Sequence, residues 1–310
     1  MKLQYYIILY LLLFSCKAEH TKEQNKLSLN IVCTTGMAAD LVRNICGDKA
    51  NVTSLMGPGV DPHLYKASQG DLVALRKADL IVYNGLHLEG KMTEVFEKLA
   101  QTKSVIAISD FIDAEKVLKH DEYENAPDPH IWFDVSLWKS SIAGLSAYLC
   151  QTDPTNCEHY QSNAEKYGLQ LDSLHNYVRE SINNIPESKR ILITAHDAFK
   201  YFGEAYDIQV KGLQGISTLS EFGLKDRVEL VNFIIENEIH AVFVESSVSP
   251  KNIEAIVEGC QRKGHEVSIG GSLYSDAMGE EGTDEGHYIG MVKANVRLIV
   301  EGLTGKANNN

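Results

Sequence analysis

Two copies of Asp-Pro-His carry the first chemical signal in this chain, Asp61-Pro62-His63 and Asp128-Pro129-His130. Proline fixes its own φ and biases the residue before it toward extended backbone, so each tripeptide reads as a stiff turn ending on an imidazole. A third imidazole follows in Thr194-Ala195-His196-Asp197, and a carboxylate in Ser275-Asp276-Ala277-Met278-Gly279. Three neutral imidazoles plus one carboxylate form a closed tetrahedral set for zinc or a neighbouring divalent ion. A metallohydrolase would instead keep one coordination position open for water and place a general base beside it. His-Glu-x-x-His is absent, as is the Gly-x-Ser-x-Gly of serine hydrolases, so the reading is of a metal binder and not an enzyme.

The elements around these residues predict how they come together. Apolar runs at Leu27–Thr35, Val52–Met56, Ala78–Tyr83 and Ser104–Ser109 alternate with helical patterns at Ala38–Cys46, Ser68–Lys77 and Met92–Ala100. The later chain repeats the alternation, with strands at Arg190–Thr194, Ile208–Lys211, His240–Glu245 and Glu266–Ile269. Its helices are Lys225–Asn237, Pro250–Arg262 and Gly286–Gly302. Such alternation means βαβ units and parallel sheets, hence an α/β fold with two lobes. Between them Tyr160, Ala164, Tyr167, Leu171, Leu174, Val178 and Ile182 recur at spacings of three and four. They predict one amphipathic helix of roughly 25 residues, stopped by Pro186, that links the lobes as a rigid strut. Ligands in open α/β sheets lie beyond the carboxyl ends of strands. His63, His196 and Asp276 each follow a strand, and His130 lies in the loop after the acidic segment Asp121–Asp128, so the four can converge in the cleft, two from each lobe. Glu245 ends an apolar strand and is expected to orient a ligand imidazole.

The N-terminus bears on the compartment. Lys2 precedes an apolar run from Tyr5 to Phe14, too short to span a bilayer and suited to a signal-peptide core. It ends at Leu13-Phe14-Ser15-Cys16, which resembles a lipobox with Cys16 as the lipidated residue. The expected organisation is a signal peptide at 1–16, a tether at 17–26, an N-terminal lobe at 27–158, the linking helix at 159–186, a C-terminal lobe at 187–304 and a tail at 305–310. A net charge of −13 without any basic stripe argues against nucleic-acid binding. Five cysteines remain besides Cys16. Cys150 and Cys157 flank the turn Thr152-Asp153-Pro154 and are the expected disulfide, in a set that leaves at least one thiol over.

Taken with their flanks, these residues resemble the substrate-binding lipoproteins of zinc and manganese ABC transporters, the cluster A-I metal-binding family. The resemblance runs from about Leu27 to Leu303. It is carried by Gly57-Pro58-Gly59-Val60-Asp61-Pro62-His63, Asn84-Gly85-Leu86-His87-Leu88-Glu89, Asp128-Pro129-His130-Ile131-Trp132 and Ala195-His196-Asp197-Ala198-Phe199-Lys200-Tyr201-Phe202. Lys211-Gly212-Leu213-Gln214-Gly215, Phe243-Val244-Glu245-Ser246 and Ser275-Asp276-Ala277-Met278-Gly279 extend it. It implies one divalent ion held by four ligands, one from each of four loops, which here are His63, His130, His196 and Asp276. Several manganese and iron binders of the family carry glutamate where this chain has His196, and the version with three histidines looks most like its treponemal zinc/manganese-binding member. The segment before the second ligand, Asp113–Asp128, is short and acidic, unlike the long His-rich loop of zinc specialists. The resemblance further implies a monomer anchored outside the cytoplasm through Cys16, which hands its ion to a permease driven by an ATPase. On donor chemistry zinc is favoured over manganese. A surface adhesin is the alternative reading.

Overall fold

The structure, a computed structural model, describes residues 28–119, 126–219 and 223–305. Cys16, the tether, His120 and the end of the tail lie outside the described residues. The first lobe is built from β1 (Leu29–Cys33), α1 (Gly36–Cys46), β2 (Ala50–Ser54), α2 (Gln69–Lys77), β3 (Leu80–Tyr83), α3 (Thr93–Ala100) and β4 (Ser104–Ala107). Its four strands are all parallel, in the order β2-β1-β3-β4. The central strands are apolar on both faces, as a sheet covered on two sides requires. Capping begins the helices: the Thr35 hydroxyl accepts the Ala38 N–H ahead of α1. Ser68 and Asp71 form a reciprocal capping box ahead of α2.

Next come two long helices, α4 (Val135–Thr152) and α5 (Cys157–Asn183). The 27 residues of α5 span about 40 Å, and every position of the stripe read from the sequence is buried. Helix α4 was not among the expected elements. It buries Val135, Leu137, Trp138, Ile142, Leu145 and Leu149 together with Ser141 and Ser146. With small and apolar residues on most of its surface, its helical period is blurred. Asp134 caps it by accepting from the backbone N–H groups of Ser136 and Leu137. A disulfide joins Cys150 in the last turn of α4 to Cys157 at the start of α5. Cys33, Cys46 and Cys260 are free and buried.

The second lobe follows as β5 (Ile191–His196), α6 (Lys200–Tyr206), β6 (Gln209–Gln214), α7 (Leu224–Glu236), β7 (Ala241–Glu245), α8 (Lys251–Arg262), β8 (Ser268–Leu273) and α9 (Tyr288–Thr304). Strands β5 and β6 pair in parallel, as do β7 and β8, and β5 lies beside β7. The second strand runs further than its apolar stretch suggests, because Gly212 lets it approach β5. A Cβ there would stand 2.5 Å from the Asp197 nitrogen and 2.7 Å from the His196 carbonyl carbon.

One hydrophobic cluster runs through both lobes. It takes in Ile31 and Leu41 of the first, Trp138 of α4, Leu171 of α5, and Phe199, Phe243 and Tyr288 of the second. Phe133 and Phe199 meet at a tilt with 4.2 Å between ring centroids, and Trp138 meets Tyr288 at 5.8 Å. The lobes therefore share a core along α5, with the cleft opening above it.

Candidate metal centre

Each of the four sequence candidates arrives from a different loop or strand end. His63 follows β2 at the end of the Gly57–His63 turn, and His130 leads into a short helical turn, Ile131–Phe133, ahead of α4. His196 is the last residue of β5, two residues beyond the strand expected from sequence, and Asp276 lies three residues past β8. All four are buried and offer donor atoms that lie within 4.8 Å of one another. His63 Nε2 stands 3.4 Å from His130 Nε2 and 3.7 Å from Asp276 Oδ2. Asp276 Oδ1 is 3.5 Å from His130 Nε2, and Oδ2 is 3.3 Å from His196 Nε2. A tetrahedron around an ion with bonds of about 2.0–2.1 Å has edges of about 3.3–3.4 Å. The spacings match such an ion at the short end, and the two Asp276 oxygens face different imidazoles. His196 Nε2 and both Asp276 oxygens are buried without a hydrogen-bond partner. Unpaired buried polar atoms are costly, and three converging on one point mark a place built for a charged guest.

The outer nitrogens of two imidazoles are held by carboxylates. Glu245, the last residue of β7, approaches His196 Nδ1 at 2.5 Å and accepts the His196 backbone N–H at 2.8 Å. Asp128 Oδ1 lies 2.8 Å from His130 Nδ1 and accepts the His130 backbone N–H at 2.9 Å. An Nδ1–H donated to a carboxylate leaves Nε2 bare for a metal and raises its basicity. Asp128 was read from sequence only as part of a stiff turn. Its position two residues before the imidazole, repeated in both tripeptides, is the signal that could have revealed it. The Asp276 loop is tied to the first lobe: Trp132 Nε1 donates to the Ser275 carbonyl at 3.1 Å, and the Tyr288 hydroxyl donates to the Trp132 carbonyl at 2.6 Å. Asn84 Nδ2 donates 2.9 Å to the Pro129 carbonyl, which steadies the second tripeptide.

Burial and charge set the proton state. Burial, only partly opposed by Asp276, takes the His63 imidazole down to about 3, so it stays neutral at physiological pH. Burial also works against a charge on His196, but the Glu245 and Asp276 carboxylates outweigh it and hold that imidazole well above its ordinary range. Asp276 is likewise desolvated, yet the His196 side chain, with smaller help from His130 and His63, keeps it below the usual carboxylate range. The two carboxylates beside His196 thus favour its protonated form in the metal-free cleft, in competition with an arriving cation.

A family model described as ZnuA, zinc-uptake complex component A, periplasmic, matches residues 31–302. The chain is 47% identical over 291 residues to the manganese-binding lipoprotein MntA of Bacillus subtilis, covering 94% of this chain and 95% of that one. It is 48% identical over 273 residues to the zinc-binding protein TroA of Treponema pallidum, covering 88% of each. The solved structure of periplasmic zinc-binding TroA from Treponema pallidum superposes with a TM-score of 0.86 at 47% identity, over 89% of this chain and 99% of that one. Fe(III)-bound YtgA from Chlamydia trachomatis superposes at 0.79 with 26% identity, over 89% and 98%.

Proposed function

The chain belongs to the family of the periplasmic zinc-uptake component A, and from that premise we propose that it captures one divalent metal ion in the cleft and delivers it to an ABC-type importer. Its ligands are His63, His130, His196 and Asp276, with Glu245 and Asp128 orienting two of the imidazoles. The observation that carries this reading is the buried His3Asp cluster, whose donor spacings fit a single small cation. The protein works outside the cytoplasm as a membrane-anchored lipoprotein, its anchor on Cys16, and its partners are a permease and the ATPase that drives it. No helix among the described residues is long and apolar enough to cross a membrane.

Relatives named for zinc, for manganese and for Fe(III) surround this chain, so membership alone does not choose the metal. The donor set favours zinc: three nitrogens and one carboxylate suit it, whereas manganese prefers oxygen-rich shells and lies below zinc in intrinsic affinity. Both Asp276 oxygens face the cluster, which leaves a route by which a larger ion adds a fifth contact.

Capture follows from the proton states. His63 is already neutral, Asp276 is ionised, and loss of the His196 proton completes the donor set as the ion sheds water. The deciding experiment titrates metal-stripped protein with zinc and manganese in competition. One ion per chain, with zinc bound more tightly, is expected; no binding of either metal, or a stoichiometry far from one, overturns the reading.

A further inference from the structure

The two Asp-Pro-His tripeptides are alike in sequence but are used differently. In the second, Asp128 Oδ1 serves both the backbone N–H and the ring Nδ1 of His130, so that ligand is held by its own loop. In the first, Asp61 Oδ1 accepts only the His63 backbone N–H, at 2.8 Å. Its Oδ2 turns away from the ring and accepts the hydroxyl of Thr218 at 2.6 Å, across the cleft in the loop after β6. That loop is braced in turn, because Gln214 at the end of β6 donates from Nε2 to the Thr218 carbonyl at 2.5 Å. The His63 loop also approaches the loop after β7, where a Cβ on Gly59 would stand 3.3 Å from the Ser246 carbonyl oxygen.

From this asymmetry we infer that Thr218 is a positioning residue for metal retention, acting through Asp61 to clasp the His63 loop of the first lobe onto the second. His130 keeps its geometry from within one lobe. His63 keeps its geometry only while the lobes are joined at Asp61 and Thr218, which makes it the ligand whose departure opens the site. The clasp adds a charge-assisted hydrogen bond to the closed arrangement, in which all four donors lie together. Its loss speeds release of a bound ion, while entry into an already open cleft is unaffected.

The inference rests on the metal-binding reading above, and the test separates the two. Zinc-loaded wild type, Thr218→Val and Thr218→Ser proteins are mixed with excess chelator, and the dissociation rate is followed by stopped flow. Association rates and the melting temperature of the metal-free protein are measured alongside. Thr218→Val keeps the side-chain shape but lacks the hydroxyl, and Thr218 is only half-buried, so folding is retained. Dissociation from Thr218→Val is expected to be about tenfold faster, as befits one hydrogen bond to a charged group. Its association rate stays at the wild-type value, its metal-free melting temperature falls by a few degrees at most, and Thr218→Ser restores slow release. A Thr218→Val protein that releases zinc at the wild-type rate overturns the clasp while leaving the metal site intact. Equal acceleration in Thr218→Ser overturns it as well, since the hydroxyl is then not the agent. Failure of the wild type to hold zinc at all removes the metal reading and the clasp with it.

Discussion

Replacing Glu245 by glutamine tests how the second lobe prepares its imidazole. Glu245 accepts from two donors, His196 Nδ1 at 2.5 Å and the His196 backbone N–H at 2.8 Å, in a site that excludes water. A glutamine offers one oxygen where the carboxylate offers two, so one of the two buried donors is left unpaired. A buried hydrogen bond to a charged group contributes roughly 1.5–3 kcal/mol, and each 1.4 kcal/mol is about tenfold in affinity. Glu245→Gln should therefore weaken zinc binding about 10- to 100-fold at high pH, the range seen when outer partners of ligand imidazoles are removed. The pH dependence gives the sharper test. With Glu245 present the His196 imidazole is held above its ordinary range, so a proton occupies the ligand nitrogen at neutral pH and competes with the metal. Affinity then rises with pH, by up to about tenfold per unit, until that raised value is passed. Without the carboxylate the proton is held less firmly, the plateau arrives at lower pH, and the deficit of the variant shrinks as pH falls. Calorimetry at pH 7 in buffers of different ionisation enthalpy should count about one proton released per ion from wild type and fewer from Glu245→Gln. A deficit below about twofold, or one that stays constant from about pH 6 to 9, would refute the argument.

Four further outcomes follow from the geometry. His130→Ala removes one of four donors; with structural zinc sites bound by roughly 10–16 kcal/mol, a quarter of that predicts at least a hundredfold or so weaker binding in the same titration. Any adhesive role would survive that change, which separates it from metal capture. Replacing Cys150 and Cys157 together by serine should cost about 2.5 kcal/mol of stability by chain-entropy arithmetic for so short a loop, measured by urea unfolding. The disulfide is remote from the cleft, so metal affinity should be unchanged. Because one core runs through both lobes along α5, solution scattering should show little change in overall dimensions on zinc addition, and a large rigid-body closure would contradict this. Zinc at a hundred times its dissociation constant should add roughly 2.7 kcal/mol to thermal stability, seen as an upward shift of the melting temperature.

The four candidate ligands were legible because they are chemically distinctive and sit in stiff, repeated contexts: Asp-Pro-His twice, and His196 and Asp276 near strand ends. The linking helix was legible because its buried positions keep an unbroken three-and-four spacing from Tyr160 to Ile182. Helix α4 was not, since Ser141 and Ser146 are buried beside Trp138 and Leu145 and blur the contrast that periodicity depends on. The extra residues of β5 and β6 were hidden for another reason. His196, Gly212 and Gln214 have little strand preference of their own and are extended because each strand pairs with the other. The division of labour between Asp61 and Asp128 lay out of reach, because identical tripeptides meet different tertiary neighbours. Only the fold brings Thr218 to one of them.

The three unpaired thiols have a consequence for a carrier crowded onto a membrane surface. Thiolate is a softer and stronger zinc ligand than imidazole, and an exposed thiolate would attack the disulfide of a neighbouring copy. Burial keeps Cys33 and Cys260 protonated and takes Cys46 up to about 12. Held as thiols inside the two lobes, they neither compete for cargo nor crosslink adjacent molecules. The metal is left with the four-ligand cleft, where it displaces the proton that Glu245 and Asp276 favour on His196.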